Sequence, residues 1–157
     1  MIRPMTPRDK GPVLDLIRAT GMFAEPEVAV AEELIDIFLD VPEQSDYRIV
    51  VVEDDTGKAV GYLTWGPTPL AEDVYDLYWM AVAPSEQGKG RGKELVRWLE
   101  AEVAKRRGRM IIIETSSQPK YEPTRGFYLG LGYKEVARVP DYYRPGDDRI
   151  IYTKHFG

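Results

Sequence analysis

The chain has 157 residues, of which 43% are hydrophobic and 30% are charged, and its formal net charge is −5 at pH 7. This length suits one globular domain with its own core, and the composition is not that of a disordered chain. The lack of cysteine excludes disulfides and thiol nucleophiles, a single histidine leaves little for a transition metal, and the negative charge argues against a nucleic-acid surface. We therefore expect one metal-free domain over 1–157, located in the cytoplasm and binding neither nucleic acid nor a membrane.

The first half of the chain predicts two helices followed by an antiparallel hairpin. The predicted elements are a strand at 2–5, a helix ending at Gly21, a helix between Pro26 and Pro42, and strands at 47–53 and 58–65. The second helix carries an apolar stripe through Val30, Leu34 and Phe38, flanked by Ala31 and Ile35. Met22 and Phe23 lie between the two helices, and the sequence leaves open whether they plug the core or line a substrate cleft.

A strand from Val74, a glycine-rich turn and a long amphipathic helix come next. The turn reads Gln87-Gly88-Lys89-Gly90-Arg91-Gly92-Lys93, and glycine lets a backbone approach a ligand closely. Because the turn opens a helix, its unpaired amides and the helix dipole favour an anion. The spacing fits neither a P-loop, since Glu94 follows Lys93, nor the dinucleotide fingerprint. The turn therefore predicts an anion site of a third kind.

The second half continues with a helix, a strand, a short helix and two final strands. The predictions are a buried helix row at Leu95, Leu99 and Val103, a strand from Met110 to Ile113 covered on both faces and lying beside the Val74 strand, a helix at 125–131 capped by Thr124, and strands at 134–139 and 149–154. Residues 140–148 are predicted to form a loop. Its two tyrosines and its acids either flank a substrate or are solvated.

Two motifs resemble those of the GNAT superfamily of N-acetyltransferases. Gln87, Gly90 and Gly92 form Gln-x-x-Gly-x-Gly after a strand that ends in Ala-Val-Ala-Pro, which resembles the acyl-CoA loop of that family. The segment Phe127-Tyr128-x-x-x-Gly132-Tyr133 resembles its second signature. The alternative for the first motif is a flexible surface turn. One departure is the loop at 118–123, which lacks the asparagine that many relatives carry there.

The resemblance implies a GNAT-like acyl-CoA N-acyltransferase fold of the α+β (α/β) class, with a mixed, largely antiparallel sheet of six to seven strands flanked by helices. It implies that acetyl-CoA is the acyl donor, with its diphosphate on the loop amides and its pantetheine arm along the end of the preceding strand. The implied cofactor-binding residues are Met80, Ala81, Val82, Gln87, Gly88, Lys89, Gly90, Arg91, Gly92 and Lys93.

The resemblance also implies which side chains perform the chemistry. Tyr128 matches the usual general acid for the leaving thiolate, and its alternative role is that of an aromatic core residue. Asp76, eleven residues before Gln87, matches a catalytic carboxylate of some histone acetyltransferases. It could equally form a structural hydrogen bond or bind a cationic substrate. Glu114 is the second candidate for the base, and without an activated serine or cysteine we expect direct transfer in a ternary complex.

Two functional classes remain open from the sequence. The first is an N-acetyltransferase acting on a primary amine of a small molecule or a peptide N-terminus, and the second is a non-catalytic sensor or interaction module that binds acyl-CoA. Acids predicted near the cleft, together with the net charge, favour a cationic amine as acceptor. These acids are Asp76, Asp141, Asp147 and Asp148. By analogy with similar folds we also expect a homodimer.

Overall fold

A computed structural model describes every residue from Met1 to Gly157. The helices are α1 (Lys10–Ala19), α2 (Glu25–Asp40), α3 (Arg91–Lys105) and α4 (Glu122–Gly130). The strands are β1 (Ile2–Pro4), β2 (Arg48–Glu53), β3 (Ala59–Pro67), β4 (Val74–Val82), β5 (Met110–Ser116), β6 (Lys134–Arg144) and β7 (Asp147–His155). They form a seven-stranded sheet in the order β1-β2-β3-β4-β5-β7-β6, which confirms the predicted α+β class and the pairing of β4 with β5.

Antiparallel ladders join β1 to β2, β2 to β3, β5 to β7 and β6 to β7. The chain divides into two compact units, the first made of Met1–Pro67 and Leu77–Ala101 and the second of Thr68–Asp76 and Glu102–Gly157. Both β4 and α3 contribute residues to each unit. The single domain predicted over 1–157 stays a prediction. None of the helices is long and apolar enough to cross a membrane.

The core of the first unit shows that the predicted apolar stripe of α2 is only partly correct. The stripe through Val30, Leu34 and Phe38 is not the buried face of α2, since Val30 is 47% exposed. The buried residues are Val28 and the two residues predicted to flank the stripe, Ala31 and Ile35, while Phe38 is partly buried against the core. Both stripes are apolar at helical spacing, so periodicity alone does not choose between them. Packing against α1 and β2 selects the second. The predicted row on α3, by contrast, is fully buried, as expected.

The β6–β7 hairpin corrects the loop that the sequence predicts at 140–148. Strand β6 continues to Arg144 and β7 begins at Asp147, so only a two-residue turn separates them. The ladder shifts register between Val139 and Arg144, and Pro140, which lacks an N–H donor, falls within that shift. Asp141 adopts a φ of 54° there. A proline that usually ends a strand is therefore accommodated where the ladder is irregular.

Two smaller predictions in the second unit also need correction. Helix α4 begins at Glu122, which places Thr124 inside the helix instead of at its N-terminal cap. Strand β5 is not covered equally on both faces, because Ile111 and Ile113 are buried while Ile112 is only half-buried. Its apolar run is therefore consistent with an alternating strand whose second face is partly open.

Candidate active site

The glycine-rich turn lies in the first unit, between β4 and α3. The Gln87 side chain donates from Nε2 to the carbonyl oxygen of Val82 at 3.1 Å, which holds the turn to the end of β4. Gly88 and Gly90 have φ values of 78° and 82°, in the left-handed region that favours glycine. A Cβ built on either residue meets no atom within 4 Å. These glycines are therefore required by backbone conformation, and the space beside them is open to a ligand.

The start of α3 supplies hydrogen-bond donors to that open space. The Glu94 amide donates to the carbonyl oxygen of Gly90 at 2.9 Å and so closes the first helical turn. The amides that precede Glu94 at a helix start have no carbonyl four residues back within the helix. The helix dipole adds positive potential at the same place. The geometry fits an anion such as the diphosphate of acetyl-CoA, with Met80, Ala81 and Val82 leading into it on β4.

Charged side chains around the turn include one that the sequence motif does not contain. Lys89 and Arg91, both on the predicted cofactor-binding list, each contact Glu86. The Glu86 Oε2 atom lies 3.4 Å from Lys89 Nζ and 3.6 Å from Arg91 Nε, and the Glu86 side chain is only 15% exposed. Sequence reasoning missed Glu86 because the chain between Glu86 and Lys89 is a turn with Gly88 at a φ of 78°, where helical i,i+3 spacing does not apply.

A cleft of about 430 Å³ also lies in the first unit, and although none of the predicted cofactor-binding residues lines it, their neighbour Glu86 does. It is lined by residues from α1, from the β2–β3 turn, from the start of β3 and from the segment 83–86. Elsewhere in this unit the Phe23 ring packs on Trp79, with centroids 5.3 Å apart, and both rings border the hydrophobic core. Of the two roles that the sequence left open for Phe23, these contacts fit that of a core residue.

Asp76 lies in the second unit, as the third residue of strand β4, and it is half-buried. Its Oδ2 atom accepts a hydrogen bond from Thr68 Oγ1 at 2.7 Å. Burial raises the pKa of Asp76, the Thr68 hydrogen bond opposes that rise, and the charges of Glu114 and Arg149 act in opposite directions. The net effect is a raised pKa, which moves this carboxyl toward the range where a general base works efficiently.

Glu114 lies on β5 in the same unit and forms an ion pair with Arg149 of β7. The Arg149 guanidinium also lies 4.9 Å from the centre of the Tyr142 ring, which in turn contacts Tyr143 edge to face. Because the charge of Glu114 perturbs Asp76, the structure brings the two candidate carboxylates into one electrostatic group. They differ in that Glu114 is bound to an arginine through a direct hydrogen bond and Asp76 is not.

The other three acids that were predicted near the cleft lie on β6 and β7. Asp147 is 2% exposed and accepts hydrogen bonds from Ser116 and Arg144, both at 2.5 Å. Asp148 accepts from the Asp141 amide at 3.0 Å, and the Asp141 carboxylate accepts from the Gly146 amide at 2.7 Å. Each of the three acids thus already accepts a hydrogen bond, Asp147 from β5 as well as from β6, and their place beside a substrate stays a prediction.

Tyr128 is placed on α4, in the second unit, and is 4% exposed. Its ring lies edge to face between Phe127 at 5.3 Å and Tyr133 at 6.0 Å. Burial raises the pKa of the Tyr128 phenol, so the hydroxyl stays protonated well above neutral pH. Such a group can donate a hydrogen bond but gives up its proton reluctantly. The aromatic contacts also fit the alternative role of a core residue.

Known acetyltransferases are similar to this chain in both sequence and fold. The family model described as an acetyltransferase (GNAT) domain matches residues 45–135, which include the glycine turn and α4. A crystal structure from Desulfovibrio desulfuricans, described as a GNAT-family acetyltransferase, is 39% identical, with a TM-score of 0.92 and coverage of 99% of this chain and 98% of that one. An L-2,4-diaminobutyric acid acetyltransferase of Oceanobacillus iheyensis is 25% identical over 90% of this chain and 75% of its own length.

An aminoglycoside 6'-N-acetyltransferase crystallised with coenzyme A shares the fold, at 23% identity and a TM-score of 0.76 over 99% of this chain and 96% of that one. The family match and the shared fold show that the chain is an acyltransferase. The chain belongs to the GNAT acetyltransferases and is an acetyl-CoA-dependent N-acetyltransferase. Of the two functional classes that the sequence left open, the enzyme is therefore the correct one.

Proposed function

We propose that this enzyme transfers the acetyl group of acetyl-CoA directly to a primary amine of a cationic small molecule, within a ternary complex. The observation that carries the proposal is the open glycine turn at the start of α3, where Gly88 and Gly90 leave the backbone amides accessible to an anion. With no cysteine in the chain and no activated serine, a covalent acyl-enzyme has no nucleophile to form on. A peptide N-terminus is the second class of acceptor with a suitable amine.

On the donor side, the turn amides and the cations of Lys89, Arg91 and Lys93 would hold the diphosphate of acetyl-CoA. The last residues of β4, from Met80 to Val82, would pair with the pantetheine arm. The bound donor supplies an activated thioester, and the role of the protein is to fix its position and its orientation. Tyr128 would donate a hydrogen bond to the sulfur as negative charge develops there, because its raised pKa disfavours complete proton transfer.

On the acceptor side, the amine must lose a proton before it can attack. At pH 7 deprotonation costs roughly 1 kcal/mol for an α-amine and nearer 5 kcal/mol for a lysine-like amine, so the second needs a placed base. Asp76 is our candidate for that base because it is half-buried, has a raised pKa and forms no hydrogen bond with the neighbouring arginine. Glu114 is the alternative base.

The relatives support an acceptor with more than one basic group. The Oceanobacillus iheyensis relative is named for L-2,4-diaminobutyric acid and a structural neighbour for an aminoglycoside, and both compounds carry amines. Attraction between such a cation and an acidic protein, with a net charge of −5, also favours this class. Location in the cytoplasm and assembly into a homodimer stay predictions from the sequence.

A thermal-shift titration with acetyl-CoA tests the donor site, since any ligand of the native state stabilises it. We expect a dose-dependent rise in Tm with acetyl-CoA and none with ATP or NAD. Gly90→Val should abolish the response, because φ at this position is 82° and a side chain would enter the open space. The matched control is Gly57→Val, at a glycine of similar φ in the β2–β3 turn. A Gly90→Val protein that responds like the parent would place the donor elsewhere.

An acceptor screen tests the other half of the proposal. Polyamines, diamino acids, aminoglycosides and short peptides would be assayed for CoA release with acetyl-CoA held at saturation. We expect the highest kcat/KM for small molecules with two or more basic groups. A screen in which acceptors of net negative charge are best would contradict the proposed substrate class while leaving acetyl transfer intact.

A further inference from the structure

The carboxylate of Glu86 occupies an unusual position in the donor loop. It lies one residue before the Gln-x-x-Gly-x-Gly motif and contacts two of the three cations in the turn, Lys89 and Arg91. Its Oε2 atom is buried and accepts no hydrogen bond, and the Nε atom of Arg91 is likewise buried without an acceptor. The two atoms are 3.6 Å apart, so they neutralise each other's charge without the hydrogen bond that each could form.

Such a pair is only partly satisfied. Buried donors and acceptors that form no hydrogen bond lose the free energy that the bond would supply, and charge-assisted hydrogen bonds are the stronger kind. An incoming phosphate oxygen with better geometry could therefore replace Glu86 beside Arg91 and Lys89. The turn would then exchange an internal carboxylate for an external anion of higher charge.

We propose that Glu86 is an internal competitor for the phosphates of acetyl-CoA. It neutralises Lys89 and Arg91 and must give them up when the diphosphate binds, so it lowers the affinity of the loop for both acetyl-CoA and the product CoA. The same competition speeds the departure of CoA after transfer. This inference rests on the proposed binding of the donor diphosphate at the glycine turn.

Glu94 provides an internal comparison. Its Oε1 atom lies 3.7 Å from Arg91 Nη1, but its side chain is 40% exposed, whereas that of Glu86 is 15% exposed. An exposed ion pair is screened by water and salt and contributes little. Glu94 also contacts only one of the loop cations. Removing its charge should therefore affect donor affinity much less than removing that of Glu86.

The test compares Glu86→Gln with the matched control Glu94→Gln, each of which removes one negative charge at nearly constant volume. The measurements are KM for acetyl-CoA, Ki for CoA and for inorganic pyrophosphate, and KM for S-acetyl-pantetheine, which lacks the diphosphate and the nucleotide. For Glu86→Gln we expect the three constants for phosphate-bearing ligands to fall by about two- to tenfold, which corresponds to partial release of one ion pair. KM for S-acetyl-pantetheine should not change, and Glu94→Gln should alter each constant less than twofold. Glu86→Ala should shift the constants in the same direction, so the test does not depend on one variant.

Three results would overturn the inference. A higher KM for acetyl-CoA in Glu86→Gln would mean that the carboxylate orders the cations for the ligand instead of competing with it. An equal shift with S-acetyl-pantetheine would mean that Glu86 supports the shape of the loop. Unchanged constants in both Glu86 variants would remove any role in donor affinity. Failure of the proposed function looks different, because the parent protein would then show no stabilisation by acetyl-CoA at all.

Discussion

Each of the two units contains a cluster of two carboxylates and one arginine, and the two clusters behave in opposite ways. In the first unit Arg3 donates to both oxygens of Asp9, at 2.7 and 2.9 Å, and to Glu53 at 2.7 Å. Asp9 also accepts from the amide and the hydroxyl of Thr6, at 2.8 and 3.0 Å. Burial raises the pKa of Asp9, but the hydrogen bonds from Arg3 and Thr6 outweigh it and lower the pKa to about 2.

The cluster in the second unit, made of Asp76, Glu114 and Arg149, has the same composition but different pairing. Arg149 hydrogen-bonds to Glu114 and affects Asp76 only through its charge. The hydrogen bond from Thr68 therefore offsets only part of the effect of burial at Asp76, whose pKa rises instead of falling. A carboxylate that accepts hydrogen bonds from an arginine and from a backbone amide stays ionised and stabilises the fold. A half-buried carboxyl without a hydrogen bond from an arginine can exchange a proton. This difference separates a structural acid from a candidate base.

The largest effect is expected from a third kind of buried titratable group, the phenol of Tyr128. Tyr128→Phe keeps the ring and removes only the hydroxyl, so kcat should fall by about 10² to 10⁴ while CoA affinity is nearly unchanged. The control is Tyr62→Phe, since Tyr62 is also buried with a raised pKa and its hydroxyl has no hydrogen-bond partner. Turnover within threefold of the parent in Tyr128→Phe would make the residue part of the aromatic core.

Asp76→Asn should lower kcat by about 10² if Asp76 is the base. The same change should raise stability at neutral pH, because the pKa of Asp76 is higher in the folded than in the unfolded chain, and its ionised form therefore destabilises the fold. That destabilisation begins as pH rises above the unfolded pKa, so the gain in Tm should vanish at acidic pH. A variant that loses stability and keeps its turnover would identify Asp76 as a structural acid like Asp9.

Asp9→Asn is expected to lower stability at neutral pH, where Asp76→Asn raises it. The effect should be intermediate in size among these predictions. The folded pKa of Asp9 is about 2, against a reference value of 3.8, so its ionisation stabilises the fold above the reference value and this contribution is lost as pH falls toward 2. The variant should lose about 2 kcal/mol of unfolding free energy at pH 7, less at pH 3, and keep its kinetic constants. Urea unfolding at the two pH values measures the difference. Equal losses at both would mean that packing, not ionisation, accounts for the effect.

The contrast between the clusters also shows what the sequence could and could not predict. The glycine turn and the α3 core row depend on local spacing, and both were predicted correctly in position. The Glu114–Arg149 ion pair joins residues that are 35 apart in the chain, and no short sequence motif predicts it. Likewise, Pro140 indicates a loop by local rules, but the register shift of the β6–β7 ladder accommodates it. These two features were missed because long-range strand pairing determines them.

Glu114→Gln is expected to have the smallest effect, and it decides between the two candidate bases. If Asp76 is the base, kcat should change by only about threefold, because Glu114 acts on it through charge alone. The charge of Glu114 raises the pKa of Asp76 and that of Arg149 lowers it, so removing the first and leaving the second unpaired both move that pKa downward. A base is active when deprotonated, and the acidic limb of the kcat profile should therefore shift to lower pH. If Glu114 is itself the base, the same substitution should abolish the limb and reduce kcat by about 10², as predicted above for Asp76→Asn. The pH profiles of the two variants, measured with one amine at saturating acetyl-CoA, thus assign the proton acceptor to one carboxylate or the other.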